Sequence, residues 1–545
     1  MNGMPPLLEG FTPWPEEVAE EYRRLGHWRG VDLGTSLRSW AQRYGDRVAL
    51  VHEGIRVTYT ELDRWADRMA AGFAAHGVAP GDRIVFQLPN VPEFVAAFFG
   101  LLRAGVHPVF ALPAHRATEL RHLADASGAV GYVGPHTHLG FDHAEAVRGI
   151  AAENPALRHL FVLGEADGFT SLTDVGSTEL AGSLPDLNPS NVAFFLLSGG
   201  TTALPKLVPR THDDYEYQIR ASAQACSLSE EDVFLAALPA QFNFCLGAPG
   251  WMATLYVGGT VVLAEEATAD LCFELIDRER VTYTAVVPTV AKMWLDEVEW
   301  SAHDLSSLRF LLIGGAPLSQ ELAGRIRPGL GCTLTQCFGM AEGLLLYSAE
   351  SDDEETRTTT QGRPLSPEDE IRIVDEDGLD VPVGTPGNLL ARGPYTIRGY
   401  YAAEERNELA FTADGYYRTG DIVRMTPDGS LVATGRAKDV IIRAGNKISP
   451  AEIEGYLLTL PGVRQAAVVG MPDEYLGERT CAFVVGTTDN PATAPDLKRA
   501  LHDIGLADYK LPDRFEFIDE LPLTPLRKID RKALRAQISA PVGHG

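Results

Sequence analysis

From residue 59 to residue 313 the chain alternates short apolar runs with segments of helical spacing, which constrains the fold more than any other feature. Helices are predicted over 59–76, with Thr60 as the N-cap, and over 91–104. Strands are predicted over 83–88, 106–112, 232–239, 260–264, 283–287 and 309–313. Short apolar strands that alternate with helices indicate parallel β-α-β units whose sheets are covered on both faces. The sequence therefore predicts an α/β fold.

The pattern changes after residue 371, and a chain of 545 residues is too long for one core. Shorter β-rich segments with D-x-x-G turns are predicted at 371–374, 387–392 and 429–435. A compact α+β pattern then begins, with strands at 440–442, 466–470 and 481–486 and helices at 450–458 and 494–504. We predict a large N-terminal core over 1–436 that includes a small β-rich subdomain, and a small mobile α+β domain over 437–545.

Composition excludes several classes of partner. Lysine and arginine number 47 against 74 aspartates and glutamates, a net charge of −27 that repels nucleic acid and anionic bilayers. No apolar run approaches the ~18 residues of a membrane span, and the six cysteines form neither C-x-x-C pairs nor a disulfide framework. We predict a cytoplasmic protein that binds neither nucleic acid nor membrane.

A glycine-rich loop follows the predicted strand at 192–197. Its sequence is S-G-G-T-T-A-L-P-K, from Ser198 to Lys206. Backbone N–H groups and hydroxyls of such a loop can surround a phosphate, and ligands of open α/β sheets bind beyond the carboxyl ends of strands. The loop is not a P-loop, because Pro205 precedes the lysine and Leu207 follows it. Taken alone, it is more typical of a surface loop.

Five further residues are candidates for a chemical role. Glu342, in a glycine-bounded turn, is a candidate Mg²⁺ ligand, and Phe338 is a candidate to stack on a purine. Asp421 and Arg436 suit the two sides of a ribose, and Lys528 could neutralise charge during phosphoryl transfer. Singly, these residues are more typical of a solvated loop, a core aromatic, a surface ion pair and a solvated tail.

Five stretches in this order resemble the adenylate-forming (ANL) enzymes over residues 37–534. They are the S-G-G-T-T loop, Q-C-F-G-M-A-E-G at 336–343, Y-R-T-G-D at 417–421, T-G-R at 434–436 and P-L-T-P-L-R-K at 522–528. Within that superfamily, P-K-L-V-P-R-T-H-D-D-Y at 205–215 and F-G-M-A-E-G at 338–343 are most similar to the free-standing aryl acid–AMP ligases of siderophore and related nonribosomal peptide biosynthesis.

The resemblance implies a two-step reaction with ATP and Mg²⁺. An aryl acid and ATP give an aryl adenylate, and the small domain then turns so that the phosphopantetheine thiol of a separate aryl carrier protein takes the aryl group. ATP binding falls to Ser198, Gly199, Gly200, Thr201, Thr202, Lys206, Gly315, Ala316, Phe338, Gly339, Met340, Ala341, Asp421 and Arg436. Glu342 matches the Mg²⁺ ligand, Lys528 the catalytic lysine, Lys438 the hinge and Gly445 the pantetheine channel.

The resemblance assigns the acid pocket to His212, Phe242, Asn243, Phe244, Ala248, Gly314 and Cys337. Asn243 matches an amide that binds an ortho hydroxyl. Ala248 stands where 2,3-dihydroxybenzoate ligases have a serine for the 3-hydroxyl, which favours salicylate; together with Cys337 it leaves room for a ring methyl, as in 6-methylsalicylate.

The chain departs from the family at Ala203 and Arg527, where glycine is usual, and at Asn388, where glutamate is usual. Three alternatives stay open. They are a ligase for 2,3-dihydroxybenzoate or a heteroaryl hydroxy acid, an aryl-CoA ligase that uses free CoA, and a nucleotide-binding regulatory protein with an inactive site. The presence of Lys528, Glu342 and Asp421 disfavours the inactive protein.

Overall fold

The computed structural model describes residues 5–180, 182–198, 205–443, 446–473, 476–487, 492–504, 506, 510–525 and 527–539. The strands are β1 (Val48–His52), β2 (Ile55–Thr58), β3 (Arg83–Phe86), β4 (His107–Phe110), β5 (Gly131–Pro135), β6 (Thr137–His138), β7 (Phe141–Asp142), β8 (His159–Leu163), β9 (Thr170–Ser171), β10 (Val192–Leu197), β11 (Leu207–Thr211), β12 (Val233–Ala236), β13 (Thr260–Leu263), β14 (Tyr283–Val286), β15 (Phe310–Gly314), β16 (Thr333–Gly339), β17 (Leu345–Tyr347), β18 (Arg363–Pro364), β19 (Glu370–Val374), β20 (Gly387–Arg392), β21 (Tyr417–Met425), β22 (Leu431–Arg436), β23 (Ile441–Arg443), β24 (Asn446–Ile448), β25 (Val463–Asp473), β26 (Gly477–Gly486) and β27 (Arg514–Phe517).

The helices are α1 (Glu16–Arg24), α2 (Leu33–Tyr44), α3 (Tyr59–Ala75), α4 (Pro92–Arg103), α5 (Ala117–Ser127), α6 (His143–Glu153), α7 (Leu172–Val175), α8 (His212–Ala225), α9 (Asn243–Leu246), α10 (Gly250–Val257), α11 (Ala269–Glu279), α12 (Pro288–Glu297), α13 (Gln320–Leu330), α14 (Glu354–Thr359), α15 (Glu404–Ala410), α16 (Pro450–Leu458), α17 (Ala494–Asp503) and α18 (Arg531–Ser539). Short 3₁₀ turns lie at Val298–Trp300 and Ala437–Asp439. No helix in the described ranges is both long and apolar enough to cross a bilayer.

Two large sheets dominate the N-terminal part. One has the order β18-β17-β16-β15-β14-β12-β13-β1-β2, and its interior pairs from β16 to β1 are parallel. The other has the order β11-β10-β4-β3-β5-β8-β9, parallel except for β10 with β11. Helices such as α4, whose side chains are almost all buried, fill the apolar core. The predicted α/β fold is confirmed.

Two smaller sheets complete the fold. The antiparallel sheet β19-β20-β21-β22 forms the β-rich subdomain, which has its own apolar cluster. The C-terminal α+β domain contains the sheet β24-β23-β26-β25, with β27 parallel to β26. Strand β22 ends at Arg436, the residue at which the sequence places the boundary. The mobility of the second domain stays a prediction.

One local prediction needs correction. The N-cap of α3 is Thr58 rather than Thr60, because Thr58 and Glu61 form a reciprocal capping box: the Thr58 hydroxyl accepts from the Glu61 amide, and the Glu61 carboxylate accepts from the Thr58 amide. Strand β16 extends to Gly339, so the first half of the Q-C-F-G-M-A-E-G motif, residues 336–339, is strand, and Glu342 lies in the turn that follows. Antiparallel pairing with β17 supports this extension.

Candidate active site

Several of the predicted acid-pocket residues meet where β15 and β16 end. These strands pair in parallel, with Gly314 opposite Cys337. Gly314 has no room for a side chain, because a Cβ there would collide with the Cys337 carbonyl and lie 3.2 Å from the Phe244 ring. The ring centres of Phe244 and Phe242 are 6.4 Å apart, edge to face. The missing side chain of Gly314 therefore lets the rings of Phe242 and Phe244, which form the aromatic wall of the predicted pocket, lie close to the sheet.

Lys528 reaches this wall from the C-terminal domain. Its Nζ lies 5.6 Å from the centre of the Phe242 ring, and its Cε lies 3.6 Å from where a Cβ on Gly315 would stand. Burial, and to a smaller extent the nearby charge of Arg436, lower the pKa of Lys528 to about 8 against the opposing effect of Asp421. The structure thus brings Lys528 together with Phe242, Gly315 and the predicted ribose pair.

The ribose pair is formed by neighbouring strands. Asp421 on β21 is opposite Arg436 on β22, and the Arg436 Nε lies 2.8 Å from the Asp421 Oδ1. Asp421 is buried, whereas the Arg436 side chain is 45% exposed. A buried carboxylate braced by a guanidinium is a strong hydrogen-bond acceptor. This arrangement suits a sugar hydroxyl.

Glu342 is a buried carboxylate. Its Oε1 accepts a 2.7 Å hydrogen bond from the Tyr400 hydroxyl, which lies 3.0 Å from that of Tyr417. Lys206 Nζ stands 4.4 Å above the Tyr400 ring. The charge of Arg436 acts on Glu342 as well as on Asp421. Carboxylate oxygens are ligands that a hard cation such as Mg²⁺ prefers, so the site fits this cation.

The ends of the phosphate loop are held together. The Ser198 amide donates to the Lys206 carbonyl at 3.1 Å, and the Lys206 amide donates to the Ser198 hydroxyl at 3.1 Å. The loop between them includes four predicted ligands that lie outside the described residues: Gly199, Gly200, Thr201 and Thr202. Gly445, predicted for a pantetheine channel, also lies outside them, and of the predicted hinge residue Lys438 only the backbone, in the turn Ala437–Asp439, is described.

The predicted adenine-binding residues line the edge between the large sheet and the β-rich subdomain. Phe338 is half-buried, opposite Leu346 on β17, and packs with Met340 against the subdomain's apolar cluster. The positions around it are the exposed Gly339 and the half-buried Ala341 and Ala316. One side of Phe338 therefore remains accessible near the end of β16.

His212 lies apart from these contacts. It is the first residue of α8, and its Nδ1 accepts from the Leu33 amide of α2 at 3.2 Å. Burial lowers the pKa of His212 to about 4, so the ring is neutral at pH 7. No hydrogen bond in the described part of the chain joins it to Asn243 or Lys528. Its assignment to the acid pocket stays a prediction.

The remaining acid-pocket positions are buried. Asn243 begins α9, and its Oδ1 accepts from the Tyr215 hydroxyl at 2.9 Å. Ala248 is 1% exposed. Burial raises the pKa of the Cys337 thiol to about 12, so it is protonated and serves as packing rather than as a nucleophile.

Comparison with known proteins agrees with this geometry. The sequence matches the AMP-binding enzyme family over residues 37–401 and the AMP-binding enzyme C-terminal domain over 452–528. It is 48% identical to 2,3-dihydroxybenzoate-AMP ligase of Bacillus subtilis over 533 residues, which covers 98% of both chains. The chain belongs to the AMP-binding enzymes, and among them to the ATP-dependent aryl acid–AMP ligases.

Two further relatives agree with this assignment. The ligase is 45% identical to the salicyl-AMP ligase / salicyl-S-ArCP synthetase of Mycobacterium tuberculosis, over 98% of this chain and 96% of the other. Among solved structures, apo MbtA from Mycobacterium smegmatis superimposes with a TM-score of 0.76 at 46% identity, over 97% of this chain and 99% of the other. Both matches span almost the whole ligase, including its C-terminal domain.

Sequence reasoning missed several residues that organise the site. Tyr400 donates a hydrogen bond to Glu342, although the two residues are 58 positions apart in the sequence. Tyr400 belongs to an R-G-Y-Y stretch that the sequence analysis did not single out. Tyr215 and Gln218 contact Asn243, and Arg210 contacts Gln218. A helical spacing signal was available, because Tyr215 and Gln218 are three residues apart and share a face of α8.

Proposed function

We propose that this ligase activates salicylate and loads it onto an aryl carrier protein. In the first step a carboxylate oxygen attacks the α-phosphorus of ATP and pyrophosphate leaves. In the second step the pantetheine sulfur attacks the acyl carbon, AMP leaves, and the thiol proton passes to solvent. The observation that carries this proposal is the approach of Lys528 to Phe242 and Gly315, beside Asp421 and Arg436.

The residues of the predicted site have different roles in adenylate formation, the first step. A carboxylate and ATP repel each other, so their reaction needs cations and alignment. Lys528 supplies a positive charge between the acid wall and the ribose pair, and Asp421 with Arg436 orients the nucleoside. The Glu342 carboxylate, positioned by the hydrogen bond from the Tyr400 hydroxyl, would hold Mg²⁺. The metal, when bound, neutralises phosphate charge.

The choice of acid rests on Ala248. A methyl side chain, 1% exposed, has no group to pair with a 3-hydroxyl, and an unpaired buried hydroxyl costs about 1–3 kcal/mol. The relatives' names include both 2,3-dihydroxybenzoate and salicylate, at 48% and 45% identity, values too close to decide between the two acids. The pocket chemistry therefore carries the proposal for salicylate.

ATP–pyrophosphate exchange over a panel of benzoic acids tests this assignment. We expect the highest kcat/KM with salicylate, and a value about 5- to 100-fold lower with 2,3-dihydroxybenzoate. Equal values for the two acids would contradict the role of Ala248. Transfer from the adenylate to a carrier protein, run beside transfer to free CoA, tests the acceptor; preference for CoA would contradict the second step.

A further inference from the structure

The two ends of the Asn243 amide have different surroundings. Its Oδ1 accepts from the Tyr215 hydroxyl at 2.9 Å and lies 3.5 Å from Gln218 Nε2. Its Nδ2 lies 3.5 Å from the Met340 carbonyl oxygen. Tyr215 and Gln218 are fully buried, and Asn243 is 9% exposed. The orientation of this amide decides whether the acid meets a hydrogen-bond donor or an acceptor.

Arg210 fixes the orientation of Gln218. The fully buried guanidinium donates from NH2 to Gln218 Oε1 at 2.9 Å. An arginine has only donors, so the atom of Gln218 that faces it must be the carbonyl oxygen. The other end of Gln218, Nε2, donates to the Gly247 carbonyl at 2.8 Å, and a carbonyl can only accept. Both neighbours require the same orientation of the Gln218 amide.

Gln218 in turn constrains Asn243. With Gln218 Nε2 and the Tyr215 hydroxyl both donating toward it, the α8 side of the Asn243 amide must be its oxygen. The Asn243 nitrogen then faces the Met340 side, where a 3.5 Å contact is at the long limit for a hydrogen bond. A buried N–H with so poor a protein partner favours a ligand that accepts a hydrogen bond.

We propose that Tyr215 and Gln218 are positioning residues that make Asn243 a hydrogen-bond donor toward the bound acid. The site then selects aryl acids with an acceptor ortho to the carboxylate and disfavours those with a donor there. This inference rests on the proposed aryl acid activation. In salicylate the phenol proton bonds to the adjacent carboxylate, so the phenol oxygen keeps lone pairs for Asn243.

Anthranilate has the same shape and the opposite polarity. Its amine lone pair is delocalised into the ring, and its N–H groups would face the N–H of Asn243. ATP–pyrophosphate exchange by the unaltered enzyme with salicylate, benzoate and anthranilate is the first test. We expect kcat/KM for salicylate to exceed that for each of the others by about 10- to 100-fold. Anthranilate equal to salicylate would overturn the inference, whereas exchange with none of the acids would contradict the proposed function itself.

The second test removes one hydroxyl. Tyr215→Phe leaves the ring in place but frees the Asn243 oxygen from its shorter hydrogen bond, so the salicylate-to-anthranilate ratio of kcat/KM should fall about threefold to tenfold. Tyr217→Phe is the matched control, because the Tyr217 hydroxyl bonds Ser366 instead. An unchanged ratio in a folded Tyr215→Phe protein, as judged by its Tm, would overturn the positioning role.

Discussion

The acid pocket and the Lys528 turn are held by different kinds of contact. Asn243 is oriented from inside the core, through Gln218 and a fully buried Arg210 whose guanidinium also pairs with Asp214 at 2.8 Å. The Lys528 turn is fastened to the large domain from outside, where the Thr289 hydroxyl donates to the Arg527 carbonyl at 3.0 Å.

A second exposed hydrogen bond crosses between the domains, from Lys292 Nζ to the Arg464 carbonyl at 2.8 Å. Buried charge networks are costly to disturb, whereas exposed hydrogen bonds exchange readily with water. Substrate selection is therefore fixed when the core folds, and the catalytic charge is docked by contacts that are easily broken. That difference is consistent with the predicted turn of the C-terminal domain between the two half-reactions.

The largest expected effect comes from the core. Arg210→Met leaves the buried Asp214 carboxylate without its partner, and we expect the free energy of unfolding to fall by about 3–5 kcal/mol. Urea denaturation measures this loss. Arg24→Met, which breaks an exposed pair with Glu21, is the control and should match the unaltered protein. Equal stability of the two variants would remove the contrast between buried and exposed contacts.

The second-largest effect is expected when the charge of Lys528 is removed. Lys528→Ala should lower the rate of adenylate formation by about 100- to 1000-fold, because one cation that stabilises the transition state is lost. Thioester formation from a supplied aryl adenylate should be spared. Lys532→Ala, exposed on α18, is the control. Parallel loss of both half-reactions, with the fold intact, would contradict the separate role of the lysine.

The same lysine predicts a pH dependence. Burial lowers the pKa of Lys528 to about 8, so its charge is present below that pH and is lost as the pH rises through it. We expect kcat/KM for pyrophosphate exchange to fall above about pH 8, by about tenfold per pH unit. The descending limb should be absent in Lys528→Ala. A limb that persists in the variant would assign the titration to another group.

The smallest effect is expected when the exposed hydrogen bond between Thr289 and the Lys528 turn is removed. Thr289→Val removes the hydrogen bond to the Arg527 carbonyl and should slow adenylation about fivefold, as expected for one exposed hydrogen bond. Thioester formation should not change, because the turn is then undocked. Single-turnover kinetics of each half-reaction separates the two, and an effect confined to thioester formation would reverse the interpretation.

Arg527 connects sequence and structure at this turn. The sequence identifies it as a departure from a usual glycine, and the structure places it at φ 59°, a conformation that glycine adopts without strain. The departure therefore costs backbone strain, and the hydrogen bond from Thr289 does not offset it, because a glycine would offer the same main-chain carbonyl. Sequence alone had no means of showing which backbone conformation the position requires.

Local pattern was enough for the α/β class and the order of the segments, and it supplied the motifs on which the predicted site residues lie, because apolar periodicity and charged motifs are properties of neighbouring residues. It was also enough, in principle, for the Thr58–Glu61 capping box. Tertiary structure decided the rest. Arg210 and Glu342 are charged and are expected at the surface by type, yet both are buried because partners distant in sequence, Tyr395 and Tyr400, satisfy their hydrogen bonds. The direction in which Asn243 presents its amide depends on that three-dimensional network alone.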